Sequence, residues 1–225
     1  MTQRRVVVFC FGCILFLQHA ALAQKDRIQP DLKQAMRRVD QHYNRLQSLK
    51  ENFVESYEGT GLVRTESGVL WLKKPGKMRW EYSQPQKKVF ISDGKNLYFY
   101  VSGEAQARES NLKNADDLRS PLRYLLGKTK LEKELSGIAM RQSNENAGDS
   151  IITGVPRAMR ESVRSVDIEI NQQNQIVRLQ IFGVDGSRTE FNFSHIVENA
   201  PAADDLFRFE VPAGVELLRN QSFQP

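Results

Sequence analysis

Cysteine is nearly missing from this chain. Of 225 residues only Cys10 and Cys13 are cysteine, and both lie in the first apolar run. Past that run there is no thiol, so thiol nucleophiles, Cys-ligated zinc and structural disulfides are excluded, and the fold must be held by its core alone. Histidine is almost as scarce, with His42 and His195 the only two after His19. His42 reads as a surface residue of a helix. His195 stands at a strand end with no His, Cys or paired acid beside it, which argues against a metal site. No Gly-x-Ser-x-Gly elbow occurs. Asp116-Asp117 and Asp204-Asp205 are adjacent acids; neighbours along a chain rarely converge on one substrate atom, and loop solvation or helix capping explains them. No Lys/Arg stripe with interleaved aromatics accompanies the formal charge of +5, so nucleic acid is not indicated. No internal repeat and no low-complexity linker is present. These absences point away from an enzyme and from any cofactor; a secreted hydrolase lacks the residues it would need.

What is there begins with a leader. Residues 1–23 read as a secretory signal peptide: Arg4 and Arg5, then the apolar run from Val6 to Leu17, then Ala21-Leu22-Ala23 as an A-x-A cleavage site before Gln24. The run is too short for a spanning helix, which needs about 20 apolar residues. Without Arg4 and Arg5 the formal charge falls from +5 to +3, a mild surplus spread along the chain. Residues 24–225 are expected to form a single domain, a length sufficient for one sizeable core.

The stretch from Gly68 to Tyr100 organises the rest. It reads as four short strands joined by turns at Pro75-Gly76, Ser83 to Pro85 and Asp93-Gly94. Ahead of it, Leu32, Ala35, Met36, Val39, Tyr43 and Leu46 recur at helical spacing, predicting an amphipathic helix over Pro30–Leu49. Asn52 to Tyr57, Gly61 to Thr65 and Glu104 to Glu109 are candidate strands. Ser120-Pro121 is a helix start, Leu122, Leu125 and Leu126 form a leucine face, and Gly127 is a stop. A two-turn helix is marginal in water, so this one must dock and could undock. Lys128 to Leu135 could add a second short helical piece. The second half returns to strands near Ile138–Gln142, Ser150–Thr153, Val163–Asn171, Gln175–Gly183 and Arg188–Ile196, with a closing strand expected over Leu206–Val211.

About eleven strands and one long helix leave more apolar surface than the helix can cover. The remaining large side chains either close on each other, as in most small barrels, or surround a greasy guest. Pattern alone leaves both open.

Here the residues become familiar. Gly68-x-Leu70-Trp71-Leu72-x-Lys74-Pro75-x3-Arg79-Trp80, then Ser92-Asp93-Gly94-Lys95-x-Leu97-x-x-Tyr100, resembles the outer-membrane lipoprotein carrier protein (LolA) family. Pro121-Leu122-x-x-Leu125-Leu126 and Phe207-x-Phe209-x-Val211-Pro212-x-Gly214-Val215 extend the likeness over essentially the whole chain after the leader. The resemblance implies an incomplete antiparallel β-barrel of about eleven strands, mainly β with some α, with one N-terminal helix and short lid helices over an apolar cavity. It implies a monomeric periplasmic chaperone that takes acylated lipoproteins from an inner-membrane ABC exporter to an outer-membrane receptor. By strand parity and by the family's cavity positions, Leu70, Leu72, Trp80, Tyr82 and Phe90 are expected inside, with Leu122, Leu125 and Leu126 as the lid that fills the cavity when it is empty. Trp71 is expected to point outward under the first helix, and Met78 to be an exposed contact for exporter or receptor. The family usually carries arginine just before the proline, reaching in to latch the lid; Lys74 stands there in this chain and cannot make the guanidinium's forked bonds. A periplasmic lipid or lipoprotein sensor on the same fold, and a carrier of another amphiphile such as a glycolipid, are the alternatives.

Overall fold

A computed structural model of the chain describes residues 30–112 and 130–220. The lid segment from Ser120 to Gly127, with Leu122, Leu125 and Leu126, lies outside the described residues. The first element is helix α1, Pro30–Arg45. Leu32, Ala35, Met36, Val39 and Tyr43 fall on one helical face, and all five are buried. The spacing predicts a helix to Leu49, but α1 stops at Arg45. Leu46 N–H bonds back to Tyr43 O at 3.3 Å, and Gln47 N–H is accepted by Asn199 Oδ1 at 2.9 Å. From Ser48 onward the backbone is paired on both sides by strands, and that ladder outweighs the helical spacing of Leu46 and Leu49.

Strand β1 is Ser48–Gly59, followed by β2 Leu62–Lys73, β3 Lys77–Gln84, β4 Lys88–Asp93, β5 Asn96–Val101 and β6 Gln106–Asn111. After a single helical turn, α2 Leu131–Glu134, come β7 Leu135–Gln142, β8 Ser150–Pro156, β9 Val163–Ile170, β10 Ile176–Gly183 and β11 Arg188–Glu198, and then β12 Glu216–Leu218. All twelve belong to one sheet in the order β12-β6-β5-β4-β3-β2-β1-β11-β10-β9-β8-β7. Every neighbouring pair is antiparallel except β12 with β6, which is parallel. The two ends of the order, β12 and β7, do not pair, so the sheet is an open half-barrel. Among the described residues no helix is long and apolar enough to cross a membrane.

The turn motifs have a structural reason. Asp93 Oδ1 accepts the N–H groups of Lys95 and Asn96 at 2.7 and 2.8 Å, closing the β4–β5 turn. Ser92 Oγ donates to Gly76 O at 2.7 Å, which fastens that turn to the β2–β3 turn. Gly94 sits at φ +98°, a conformation that favours glycine, and a Cβ there would lie 3.4 Å from Pro75 O, where the two turns stack.

The closing segment departs from expectation. Asp204–Phe207 is a short 3-10 turn, residues 208–215 make no ladder, and the last strand is β12. The alternation of Phe207 and Phe209 reports packing against the outer face, not pairing. Phe207 is buried, and Phe209 stacks on Tyr98 at 5.2 Å. Asp204 is clamped by Lys73 and Lys77 at 2.6 and 2.9 Å, which holds its carboxyl at about 2, below the usual range.

At the β2–β3 crossing, the register shifts between Ser67 and Gly68. A Cβ on Gly68 would sit 1.9 Å from Glu81 O, against backbone on the neighbouring strand. Gly68→Ala is therefore expected to destabilise by about 1–3 kcal/mol, read as a lowered urea midpoint with an unchanged m-value; an unaltered midpoint would remove the close approach as a constraint.

Candidate functional site

Residues directly opposite in an antiparallel ladder point to the same face, so register lays out the concave face in rows. One row runs Leu49, Leu72, Met78, Ser92, Leu97; the next runs Glu51, Leu70, Trp80, Phe90, Phe99. The third runs Phe193, Phe53, Gly68, Tyr82, Lys88, Val101. A fourth passes through Glu66, Glu55, Phe191, Leu179, Ile168 and Ile152. The buried stripe of α1 belongs to the same apolar cluster as these rows, so the helix lies on the concave side.

The centre is aromatic. Phe53 meets Trp80 and Tyr82 with ring centroids 4.9 Å apart in each case, and Trp80 meets Phe191 edge-on at 5.4 Å. Tilted and T-shaped pairs suit the ring quadrupoles. Phe90 stacks on Phe99 at 4.3 Å and packs against the cluster while staying partly exposed. The expected interior residues Leu70, Leu72, Trp80 and Tyr82 are buried on this face, with Phe90 beside them.

Toward one end the face becomes polar. Tyr82 Oη donates to Glu55 Oε2 at 2.6 Å. Lys88 Nζ lies 2.8 Å from Glu66 Oε2 and 4.1 Å above the Tyr82 ring, and Arg64 Nε reaches Glu66 at 3.0 Å. Burial pushes the Glu55 carboxyl up, opposed by the Tyr82 hydrogen bond. At the other end, Lys74 Nζ donates to Tyr43 O and Asn44 O at 2.8 Å each, meeting the carbonyls left over at the C-terminus of α1.

Two groups between these ends lack partners among the described residues. Glu51 is 0 % exposed and neither carboxyl oxygen accepts or donates a hydrogen bond; Trp80 Nε1 is likewise buried and unpaired. Desolvation alone pushes Glu51 up to about 8.

Three expectations are corrected. His42 is buried, not a surface residue of the helix, because its ring meets Glu198 Oε1 at 2.8 Å. Met78 is 4 % exposed, not a surface contact: β3 already begins at Lys77, so Met78 pairs with Leu72 and Ser92 and shares the inward parity of Trp80 and Tyr82. Trp71 is not under α1. The helix covers the face of Leu70 and Leu72, and Trp71, of opposite parity, lies beneath the Lys50 ammonium at 4.7 Å. Reasoning from sequence also missed Phe53, Phe191, Phe193 and Glu51. The period-two spacing Phe191-x-Phe193 was a usable signal; for Glu51 only its parity with Leu49 and Phe53 was.

Fold and inner face together define an open β half-barrel with an apolar concave face covered by a helix. The chain belongs to the family described as outer membrane lipoprotein carrier protein LolA, whose profile matches residues 44–210. It is similar to an outer-membrane lipoprotein carrier protein of Psychromonas ingrahamii, with 30% identity over 73% of this chain and 76% of the relative. It also resembles one of Nitrosomonas europaea, with 23% identity over 83% of this chain and 89% of the relative. Among solved structures, the lipoprotein LppX of Mycobacterium tuberculosis shares the fold, with a TM-score of 0.50 and 17% identity over 79% of this chain and 100% of that one.

Glu51 sets a pH dependence. With its carboxyl near 8 when folded and near 4.5 when unfolded, the folded protein keeps a proton that the unfolded chain releases between those values. Stability therefore falls as pH rises through that window and levels off above it. Glu51→Gln removes this contribution to the slope: relative to wild type it gains about 1.4 kcal/mol per pH unit crossed inside the window. Urea denaturation at pH 5 and pH 8 checks this, and an equal wild-type–variant difference at both would refute it.

Proposed function

We propose that this protein is a periplasmic carrier, not an enzyme, which shields the acyl chains of lipoproteins released from the inner membrane and delivers them to the outer membrane. The observation that carries the reading is the concave face itself, a continuous aromatic and aliphatic surface in an open sheet, in a chain of the lipoprotein carrier family. The leader residues 1–23 would send the single domain across the inner membrane. Its partners would be acylated lipoproteins, an inner-membrane ABC exporter and an outer-membrane receptor.

Carriage has to be reversible. Burying acyl carbon is worth about 0.8 kcal/mol per CH₂, so a sixteen-carbon chain corresponds to on the order of 10 kcal/mol. A carrier that gained all of this could not release its cargo. Exchange solves the problem: a lid that gives up its own leucine contacts as acyl chains enter leaves a small difference, a shift between two packings. Leu122, Leu125 and Leu126 are assigned that role. In the chain the segment bearing them lies between β6 and α2. Leu70, Leu72, Trp80, Tyr82 and Phe90 are assigned to the acyl chains. Lys74 is assigned to the latch, holding the empty state from beside the α1 terminus.

Trp71→Phe leaves Trp80 as the one remaining tryptophan. Brominated acyl chains are expected to quench more than half of its emission, while brominated water-soluble acids quench little; equal quenching by both would end the carrier reading. Mass spectrometry of lipid co-purifying with the protein separates lipoprotein cargo from glycolipid. Depletion in cells is expected to leave lipoproteins at the inner membrane; a changed regulatory response with normal lipoprotein sorting would favour a sensor.

Lys74→Leu is expected to speed hydrogen exchange across residues 120–127 and to raise acyl-probe uptake. If both stay at wild-type values, Lys74 is not the latch.

A further inference from the structure

Glu51 and Trp80 occupy one transverse row of the concave face, with Leu70 between them. Each carries a polar group in full burial and without a partner among the described residues, one a carboxyl and the other an indole N–H. Native proteins pair nearly all such groups, and an orphan costs stability, so two in one row need an explanation. Packing does not supply one: Leu49, Phe53 and Leu70 around Glu51 are apolar, and a leucine would fit the row better than a carboxyl. The backbone is also irregular here. Lys50 pairs Val197 but Asn52 pairs Ser194, so Glu51 alone faces His195 and Ile196 across a bulge in β11, and His195 adopts φ +52°. Bulges of this kind re-aim a side chain and recur beside functional sites.

We infer that Glu51 and Trp80 form a polar subsite on the apolar concave face, which takes the carbonyl at the root of an acyl chain when the packing over that face gives way: an acyl ester or acyl amide, not a bare hydrocarbon. The inference rests on the carrier reading and refines it. A carbonyl oxygen has two lone pairs and accepts from both the indole N–H and a protonated carboxyl. Desolvation keeps Glu51 protonated at neutral pH, so it donates there and brings no charge into the hollow. The hydrocarbon tail would run over Leu70 and the central rings. The subsite fixes where along the face the root of the chain sits, a position that apolar contact alone leaves undefined. It also discriminates: a site built to hydrogen-bond its ligand rejects the analogue that cannot pair.

The test compares glycerol monopalmitate with glycerol monohexadecyl ether, which share headgroup and chain length and differ in the carbonyl. Each displaces an apolar fluorescent dye from the purified full-length protein. Wild type is expected to prefer the ester by about five- to tenfold, the scale of one net hydrogen bond. Glu51→Leu, which leaves the Trp80 indole N–H as the one donor, should lose most of that preference. Glu51→Gln, whose amide still donates, should retain part of the preference, and Trp80→Phe should lose part of it. A wild type without ester preference, or a Glu51→Leu that keeps the full preference, overturns the subsite and leaves the carrier reading standing. Displacement by neither lipid sinks the carrier reading and the subsite with it.

Discussion

The last turn of α1 is the joint on which the rest of the structure hangs. Within five residues, Asp40 accepts the Leu131 N–H of α2, His42 Nε2 meets Glu198 at the end of β11, and Tyr43 Oη accepts the Ile176 N–H that begins β10. The Tyr43 and Asn44 carbonyls accept Lys74 from just past β2. One helical turn thus ties together strands from both halves of an open sheet. That tie, with the apolar cluster under α1, holds the two halves of the open sheet together across the middle. Apart from the exposed Lys74–Asn44 bond, these bonds are buried or half-buried, and the unmet carbonyls of a helix end would otherwise be a cost in that setting. Partial burial also pushes Asp40 up to about 6, against the pull of the Leu131 N–H.

The open architecture determines what the concave face can be. A small closed barrel of about eight strands fills itself with its own side chains. An open one keeps a broad inner surface that must be covered by separate elements, and α1 is the largest of them. The surface is graded, from leucines beside α1, through the aromatic centre, to the Glu55, Glu66, Lys88 and Tyr82 network. That gradient gives an amphiphile a direction. The sheet's edges are blunted as edges must be: β12 has three residues, and β7 carries a register break between Ser136 and Ala139.

Legibility in the sequence followed how local the cause was. The apolar stripe of α1, the alternation of Trp80 and Tyr82, and the turns at Asp93-Gly94 and Pro75-Gly76 were all readable, because spacing and turn chemistry act over a few residues. So were the interior positions Leu70, Leu72, Trp80, Tyr82 and Phe90. What failed depended on partners far away in sequence. The end of α1 depended on β1 being claimed by β11, some 140 residues on, as Leu49 with Glu198 and Phe53 with Phe193 record. The single long β2, predicted as two pieces around Gly68, depended on a bulge where it crosses β3. Trp71 is misplaced by sequence reasoning because nothing local says which face of a strand a distant helix will cover. Phe207-x-Phe209 alternates like a strand because one-sided burial produces the same period whether or not the backbone pairs.

Lys74 illustrates how a departure from a family pattern can be absorbed. A guanidinium offers a planar fork, whereas an ammonium offers three rotatable donors on a flexible stem. Carbonyls at a helix terminus are splayed and non-coplanar, and they suit the ammonium better than a carboxylate's fork-shaped partner would. Tyr43 O and Asn44 O, each at 2.8 Å, are that kind of target. The lysine therefore anchors the helix end from the strand turn, and any hold on a lid would be applied through a residue already committed to the α1 joint. Loosening one would loosen the other. An element that opens the hollow would then also relax the turn that ties the two halves of the sheet, which couples access to the concave face with its curvature.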